Sequence, residues 1–356
     1  MKIKIDSDLL AEKIKAITRV IQAQVISFEV KDKRLYVSGQ SNGNSCSMNV
    51  PVSVLKASKN TTFSIQAATL IGAIAKRKEI EIDISENSLV IKASRFEAEL
   101  IVQQFEPIVV VSEEIKTGST FKIKEDILKL IAGSLNKIEL KPLISQDTIN
   151  IGVWASKEGT FLTCFDFFQS SYLFDKTVTG NIKFSLPSST FIMLSKEFRQ
   201  EQYKMSVNDK ELFAYNDNFE LSVALPQQEG DTISIDDAYN FYKNLKDVKT
   251  RSIKLQTSGI ANLLENAKAI YEKSSTFTIE VKGNKAQLKL RSSYGNMDST
   301  VLLEESIDTP LKFTCDFGSF ASILSKASSS IVLRVSDRFI LFTNKPVVYL
   351  LGLHDS

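Results

Sequence analysis

Residues Lys2–Val50 read KIKID, SDLLAEKIKAITRVIQAQ, VISFEV, KDK, RLYVSGQ, SNGN, SCSMNV. Lys2–Ile5 alternates as a short strand. Asp6-Ser-Asp8 then offers cap residues to a helix carrying Leu10, Ile14, Ile17 and Ile21 on one stripe. Three strand-like runs follow at 25–30, 34–39 and 45–50, with polar turns at Lys31-Asp-Lys33 and Ser41-Asn-Gly-Asn44. The unit is thus strand, helix, three strands.

Reading outward, the same order recurs five times. The second copy is strand 62–66, helix 67–76 and strands 80–84, 88–93 and 98–102; the third is strand 120–123, helix 124–137 and strands 148–154, 160–165 and 170–174. The fourth is strand 183–186, helix 187–199 and strands 203–207, 211–215 and 220–225, with Pro187 in the first helical turn. The fifth is strand 252–256, helix 257–271 and strands 277–281, 287–291 and 298–303; the sixth is strand 311–316, helix 317–327 and strands 331–335, 339–343 and 347–351. An amphipathic helix must cover a sheet. Two half-repeats make a domain, so the sequence predicts an α+β chain of three tandem domains at 1–115, 116–248 and 249–356, with helices on one face of antiparallel sheets. Residues Ile235–Leu245 read either as a helix-like connector or as part of an edge.

Charge is unevenly distributed. Lys plus Arg number 44 against 42 Asp plus Glu, a net of +2. The helical segments, taken as 7–23, 67–78, 124–137, 187–200, 257–273 and 317–328, hold 14 basic and 7 acidic residues. The helices are therefore +7 and the remainder −5. Lys15 and Arg19 lie opposite the first apolar stripe, Lys129 opposite Ile127 and Ile131, and Lys196 opposite Phe191 and Leu194. Lys76, Arg77 and Lys78 close the second helix, and Lys268, Lys273 and Lys326 flank the last two. Cations spread along helices suit phosphates and carry no base readout. No aromatic residues interleave with them, so single-strand stacking is not indicated.

Scarcity excludes other chemistry. His354 is the one histidine, and Cys46, Cys164 and Cys315 are more than a hundred residues apart. With no His pair and no CxxC a His/Cys metal centre is excluded, the odd cysteine count argues against a full disulfide framework, and a histidine-based triad would have to use the terminal His354; neither metal nor cofactor is expected. The opening Met-Lys-Ile-Lys-Ile-Asp lacks a signal peptide's apolar core, and no apolar run approaches a membrane span, so no membrane partner is expected. An alternative is an intracellular enzyme on a repeated α/β scaffold, using Asp231, Asp236 and Asp237 as its carboxylates. No phosphate-binding glycine loop accompanies them.

The whole chain resembles the DNA sliding clamps, the bacterial beta subunit of DNA polymerase III and its phage relatives. The resemblance rests on the repeat order and on local matches: Met1-Lys-Ile-Lys-Ile-Asp with Leu9-Leu10, Leu35-Tyr-Val-Ser-Gly-Gln-Ser41, Phe105-Glu-Pro107, Gly159-Thr-Phe-Leu-Thr-Cys-Phe-Asp166 and Val348-Tyr-Leu-Leu-Gly-Leu353. It implies a processivity factor without catalysis: a head-to-tail homodimeric ring whose helices face double-stranded DNA, with a DNA polymerase and a clamp loader as partners, in the cytoplasm, or the host cytoplasm if viral. A partner-peptide groove would involve Ile149, Asp166, Val348, Leu351 and Leu353. The subunit contact would pair Phe96, Ala98 and Leu100 with Ile270 and Tyr271. The sequence departs from the family pattern at Phe167-Phe168-Gln169, where clamps typically carry a Gly-His-Arg-like run, and at Glu229-Gly230-Asp231.

Overall fold

A computed structural model describes residues 1–56, 62–85, 87–104, 108–118, 121–123, 125–138, 150–165, 169–188, 190–191, 204–225, 234–256, 260, 264–272, 275–326 and 330–354. The chain packs as two compact units, Met1–Leu128 with Ile192–Gln227, and Lys129–Phe191 with Gln228–Ser356. The first holds half-repeats one, two and most of four. The second holds most of three together with five and six.

In the first unit, β1 (Lys2–Asp6) leads directly into α1 (Ser7–Ile21). The Asp6 carboxylate accepts from the Asp8 and Leu9 amides at 2.9 Å, satisfying two of the orphan donors of the first turn. Leu10, Ile14, Ile17 and Ile21 are buried, as their spacing predicts. The helix lies across β3 (Arg34–Ser41) and β4 (Asn44–Pro51), which follow β2 (Val25–Lys31). Gly39 permits this approach: a Cβ there would meet Ala23 at 2.9 Å and Ile17 at 3.0 Å. Next come β5 (Ser53–Lys56), β6 (Thr62–Gln66), α2 (Ala67–Ile74), β7 (Glu79–Ile84), β8 (Ser88–Ala93), β9 (Phe96–Ile101) and β10 (Gln103–Gln104). Then follow α3 (Glu113–Thr117) and β11 (Phe121–Ile123). Strands β16 (Lys204–Val207), β17 (Glu211–Tyr215) and β18 (Phe219–Ala224) complete the unit. Its sheets run β5-β1-β7-β8-β9 and β10-β6-β2-β3-β4-β18-β17-β16-β11. The short β5, β10 and α3 were not legible in the sequence pattern.

Helix α4 (Glu125–Ile138) straddles the boundary of the units, and the second unit contains β12 (Asn150–Ser156), β13 (Gly159–Phe165), β14 (Gln169–Asp175) and β15 (Ile182–Pro187). After α5 (Ile235–Asn244), which is the connector helix and not part of an edge, come β19 (Arg251–Gln256), β20 (Thr276–Ser292) and β21 (Gly295–Asp316). The unit ends with α6 (Phe317–Leu324), β22 (Ser330–Val335), β23 (Phe339–Asn344) and β24 (Val347–Gly352). Ten strands form one sheet, β15-β12-β13-β14-β24-β23-β22-β19-β21-β20. The run β20 folds back on itself: Lys289 Nζ lies 2.6 Å from Glu280 Oε2, whereas nine extended residues span roughly 30 Å. Gly283, with φ +59°, takes the left-handed conformation at that reversal. The strands read at 277–281 and 287–291 are its two arms. β21 likewise pairs first with 285–292 and then with 276–281.

Every strand pair among the described residues is antiparallel. The helix read at 187–199 lies mostly outside the described residues. Of the one read at 257–271, residues 260 and 264–267 are helical. The sixth helix differs from its expected amphipathic form: all eight residues of α6 are buried, and none is charged.

Candidate nucleic-acid interface and partner strand

On α1, Lys15 and Arg19 are exposed, one turn apart and opposite the buried stripe. Helix α2 is shorter than its sequence pattern suggests and ends at Ile74. Lys76, Arg77 and Lys78 thus occupy a turn, with Lys76 at φ +61°. That turn is fastened to α1: the Ser7 amide donates to the Lys78 carbonyl at 3.1 Å, and the Ser7 hydroxyl donates to the Arg77 carbonyl. Lys76 and Lys78 face solvent. Arg77 is engaged differently. Its guanidinium stacks 3.5 Å above the Phe96 ring and donates to the Ala75 carbonyl at 2.7 Å. The structure therefore joins a cation expected on a DNA-facing surface to an aromatic expected in a subunit contact, two residues that sequence spacing could not connect.

On α4, Ile127, Ile131, Leu135 and Ile138 are buried, leaving Lys129 and Lys137 exposed. Both border a hollow of about 260 Å³ shared with Leu173, Asp175 and Pro346. Lys137 was not singled out from the sequence, although its place in the last turn beside buried Ile138 is the signal that finds it. Lys268 is exposed, with its ammonium 2.8 Å from Glu265, which offsets its charge locally. Lys326 lies beyond α6 and is half-buried, and its carbonyl accepts from Asn344 at 2.6 Å. Lys196 and Lys273 fall outside the described residues.

Strand β24 is not an edge. It pairs with β14 on one side and β23 on the other. Val347, Tyr349 and Leu351 are buried, and the Tyr349 hydroxyl donates to the Lys137 carbonyl at the end of α4. The Ser171 hydroxyl similarly donates to the Ile138 carbonyl. Burial pushes the Tyr349 hydroxyl's pKa far up, keeping it a donor. Val348 and Leu350 point to the opposite face and pack against a cluster that includes Phe161, Tyr172, Ile235 and Tyr239. The period of two thus separates Leu351 from Val348, so the two cannot line one groove from this strand. Leu353 is half-buried, bridging Cys315 beyond the strand. Ile149 and Asp166 lie outside the described residues.

Strand β9 is an edge. Phe96, Ala98 and Leu100 are half-buried on one side, and Ile101 beyond them is 87% exposed. Ile270 is half-buried. The Tyr271 hydroxyl donates to Asp316 at 3.5 Å, and its ring tilts against Phe317 at 5.2 Å. Burial, together with the Asp316 carboxylate, pushes the Tyr271 pKa up to about 12. Tyr271 thus braces the start of α6, whose first turn Asp316 caps through the Ser319 amide at 2.6 Å.

Of the three carboxylates of the enzyme alternative, the two among the described residues are spent on structure. Asp236 is ion-paired with Lys183, and Asp237 accepts from Ser234 at 2.7 Å while Ser234 caps α5. Asp231 lies outside the described residues. Burial raises the pKa of the Cys46 and Cys315 thiols, disfavouring thiolate. Among the described residues no three His, Cys, Asp or Glu side chains group as metal ligands, and no helix is long and apolar enough to cross a membrane.

Half-repeats assembled into broad antiparallel sheets, with amphipathic helices packed on them, define a repeated α+β clamp architecture. Solved structures identify the fold more closely. The beta subunit from DNA polymerase of Streptococcus pyogenes matches over 100% of both chains, with TM-score 0.78 and 15% identity. DNA polymerase III beta chain from Streptococcus pneumoniae TIGR4 matches over 100% of both, with TM-score 0.79 and 12% identity. A Helicobacter pylori beta clamp bound to a DNA ligase peptide likewise matches over 100% of both, with TM-score 0.74 and 15% identity. No protein-family model and no curated protein matches the sequence itself. The chain has the fold of the DNA polymerase III beta-subunit clamps.

Proposed function

We propose that the chain is a sliding clamp, a ring of two copies that encircles duplex DNA and holds a polymerase on it without catalysis. The observation that carries this reading is the likeness to beta-subunit clamps along the entire chain, at TM-scores of 0.74–0.79. Exposed cations on α1, on the turn after α2 and on α4 support it, because mobile ammonium groups hold phosphates without fixing a register. The tandem domains 1–115, 116–248 and 249–356, the clamp loader and a replicative, cytoplasmic setting belong to the same proposal.

A closed ring needs two edges per copy. Strand β9, with Ile101, is one. The β20–β21 hairpin at the end of the second unit's sheet, with Leu302 57% exposed and Gly295 beside Ile270, would offer the other. A peptide groove at the end of β24 would use Leu353 together with Ile149 and Asp166, while Leu351 supports it from the core. Light scattering coupled to gel filtration tests the assembly: twice 39.7 kDa is expected, and a strict monomer at micromolar concentration refutes the ring.

A further inference from the structure

The two large sheets follow one plan. Strands β6, β2, β3, β4, β18, β17, β16 and β11 succeed one another in the first as β15, β12, β13, β14, β24, β23, β22 and β19 do in the second. In each unit a serine-capped helix from the preceding connector, α3 or α5, accompanies that sheet. In the second unit α5 is ten residues long, and its Tyr239 and Tyr242 cover Trp154, Phe161, Tyr172 and Phe174.

Strand registers put different residues at the equivalent positions of the first unit. Glu29 stands for Trp154, Tyr36 for Phe161, Asn49 for Phe174 and Ser47 for Tyr172. Helix α3 has only five residues, and its connector packs to the side, where Val110 and Val111 meet Phe213 and Tyr215. An open cleft of about 260 Å³ results, with Ser38 donating to Ser47 at 2.8 Å within it. Four carboxylates border the cleft, those of Glu29, Glu113, Asp217 and Glu220, against the Lys116 ammonium and the Arg34 guanidinium, which donates to Asn49 Oδ1 at 3.3 Å and to the Asp217 carbonyl at 3.1 Å. Lys116 is already held by Glu113 at 3.1 Å and Glu220 at 2.5 Å. Val109, 76% exposed, forms an apolar shoulder.

We propose that this cleft is a docking site for a partner protein's linear segment that inserts a lysine or arginine side chain and rests an apolar neighbour on Val109. The carboxylates in excess over Lys116 and Arg34 suit a cationic donor, and the acidic border disfavours an acidic segment. In the second unit the same face is closed by the chain's own helix. The inference does not depend on the clamp reading.

A random heptapeptide phage library panned on the immobilised full-length chain provides the test. Enriched peptides should carry Lys or Arg beside an apolar residue. Their binding should fall about tenfold or more in Asp217→Lys and in Ser47→Tyr, the latter placing the second unit's aromatic in the cleft. Asp217 is exposed, so that variant decides the matter even where Ser47→Tyr fails to fold. Failure to enrich such peptides, or full binding retained by a folded variant, overturns the proposal.

Discussion

Replacing Lys15, Lys76 and Lys78 together by Gln should weaken DNA binding in a way that identifies its physical origin. All three side chains are exposed, and the bonds from Ser7 to residues 77 and 78 hold the turn at the start of α1. Lys15 stands about 12 Å further up the helix axis. Duplex DNA carries a charge per roughly 1.7 Å, so each ammonium can meet its own phosphate. Each lost contact lowers the salt slope of log K by about 0.9, so three lower it by about 2.7. At about 0.1 M salt that corresponds to several hundredfold in affinity. Anisotropy of a fluorescein-labelled duplex, titrated across a salt series, reads both quantities. Arg77→Gln is the internal control. Its guanidinium is committed to Phe96, so it should leave the slope unchanged while loosening β9 by about 0.5–1 kcal/mol. An unchanged slope in the triple variant, or an equal fall in Arg77→Gln, would refute this division of labour.

Three further outcomes follow from the packing. Tyr349→Phe removes the donor to Lys137, leaving that carbonyl unpaired at about 1–3 kcal/mol; hydrogen exchange should accelerate at the end of α4, and unchanged protection would deny the contact. Gly152→Ala brings a Cβ within 2.9 Å of both Ile235 and Thr163, so urea denaturation should register a loss of about 1–3 kcal/mol as α5 is displaced; a neutral result would mean α5 does not press on β12. Because the Tyr271 pKa is raised to about 12 from 10, folded protein holds this proton where unfolded chain releases it. Its stabilisation is complete below pH 10 and lost as pH rises towards 12. The thermal midpoint should drop over that window, and drop less in Tyr271→Phe; an identical drop would assign the effect to other tyrosines.

Much of the fold was legible because its signals are periodic. The stripe Leu10, Ile14, Ile17, Ile21 is buried as its spacing reads, and β1, β7 and β22 alternate in burial, whereas β13 and β14 are buried on both faces. The reversal at Gly283 falls in the gap between the strands read at 277–281 and 287–291. What stayed hidden depends on partners distant in sequence. Nothing in Val348–Leu353 says that the strand lies between β14 and β23, because an interior and an edge strand can share one apolar pattern. Truncation at Leu351 would therefore remove core, and His354 is the earliest sensible cut for testing a tail. Arg77 reads as a helix-end cation until the tertiary fold sets Phe96 beneath it. The buried α6 escaped because its cationic neighbour, Lys326, lies past its end. The acidic cleft of the first unit was equally invisible, since Glu29, Asp217 and Glu220 are brought together from segments almost two hundred residues apart.

Topological retention on DNA tests the clamp proposal most directly. The protein is mixed with linear duplex biotinylated at both ends, the ends are closed with streptavidin, and the complex is washed at about 1 M salt, where charges are screened beyond roughly 3 Å. A sliding ring should remain on closed-ended DNA, leave DNA whose ends are open, and be released when one internal cut is made. Equal loss from open and closed DNA would contradict encirclement and leave only ordinary electrostatic binding.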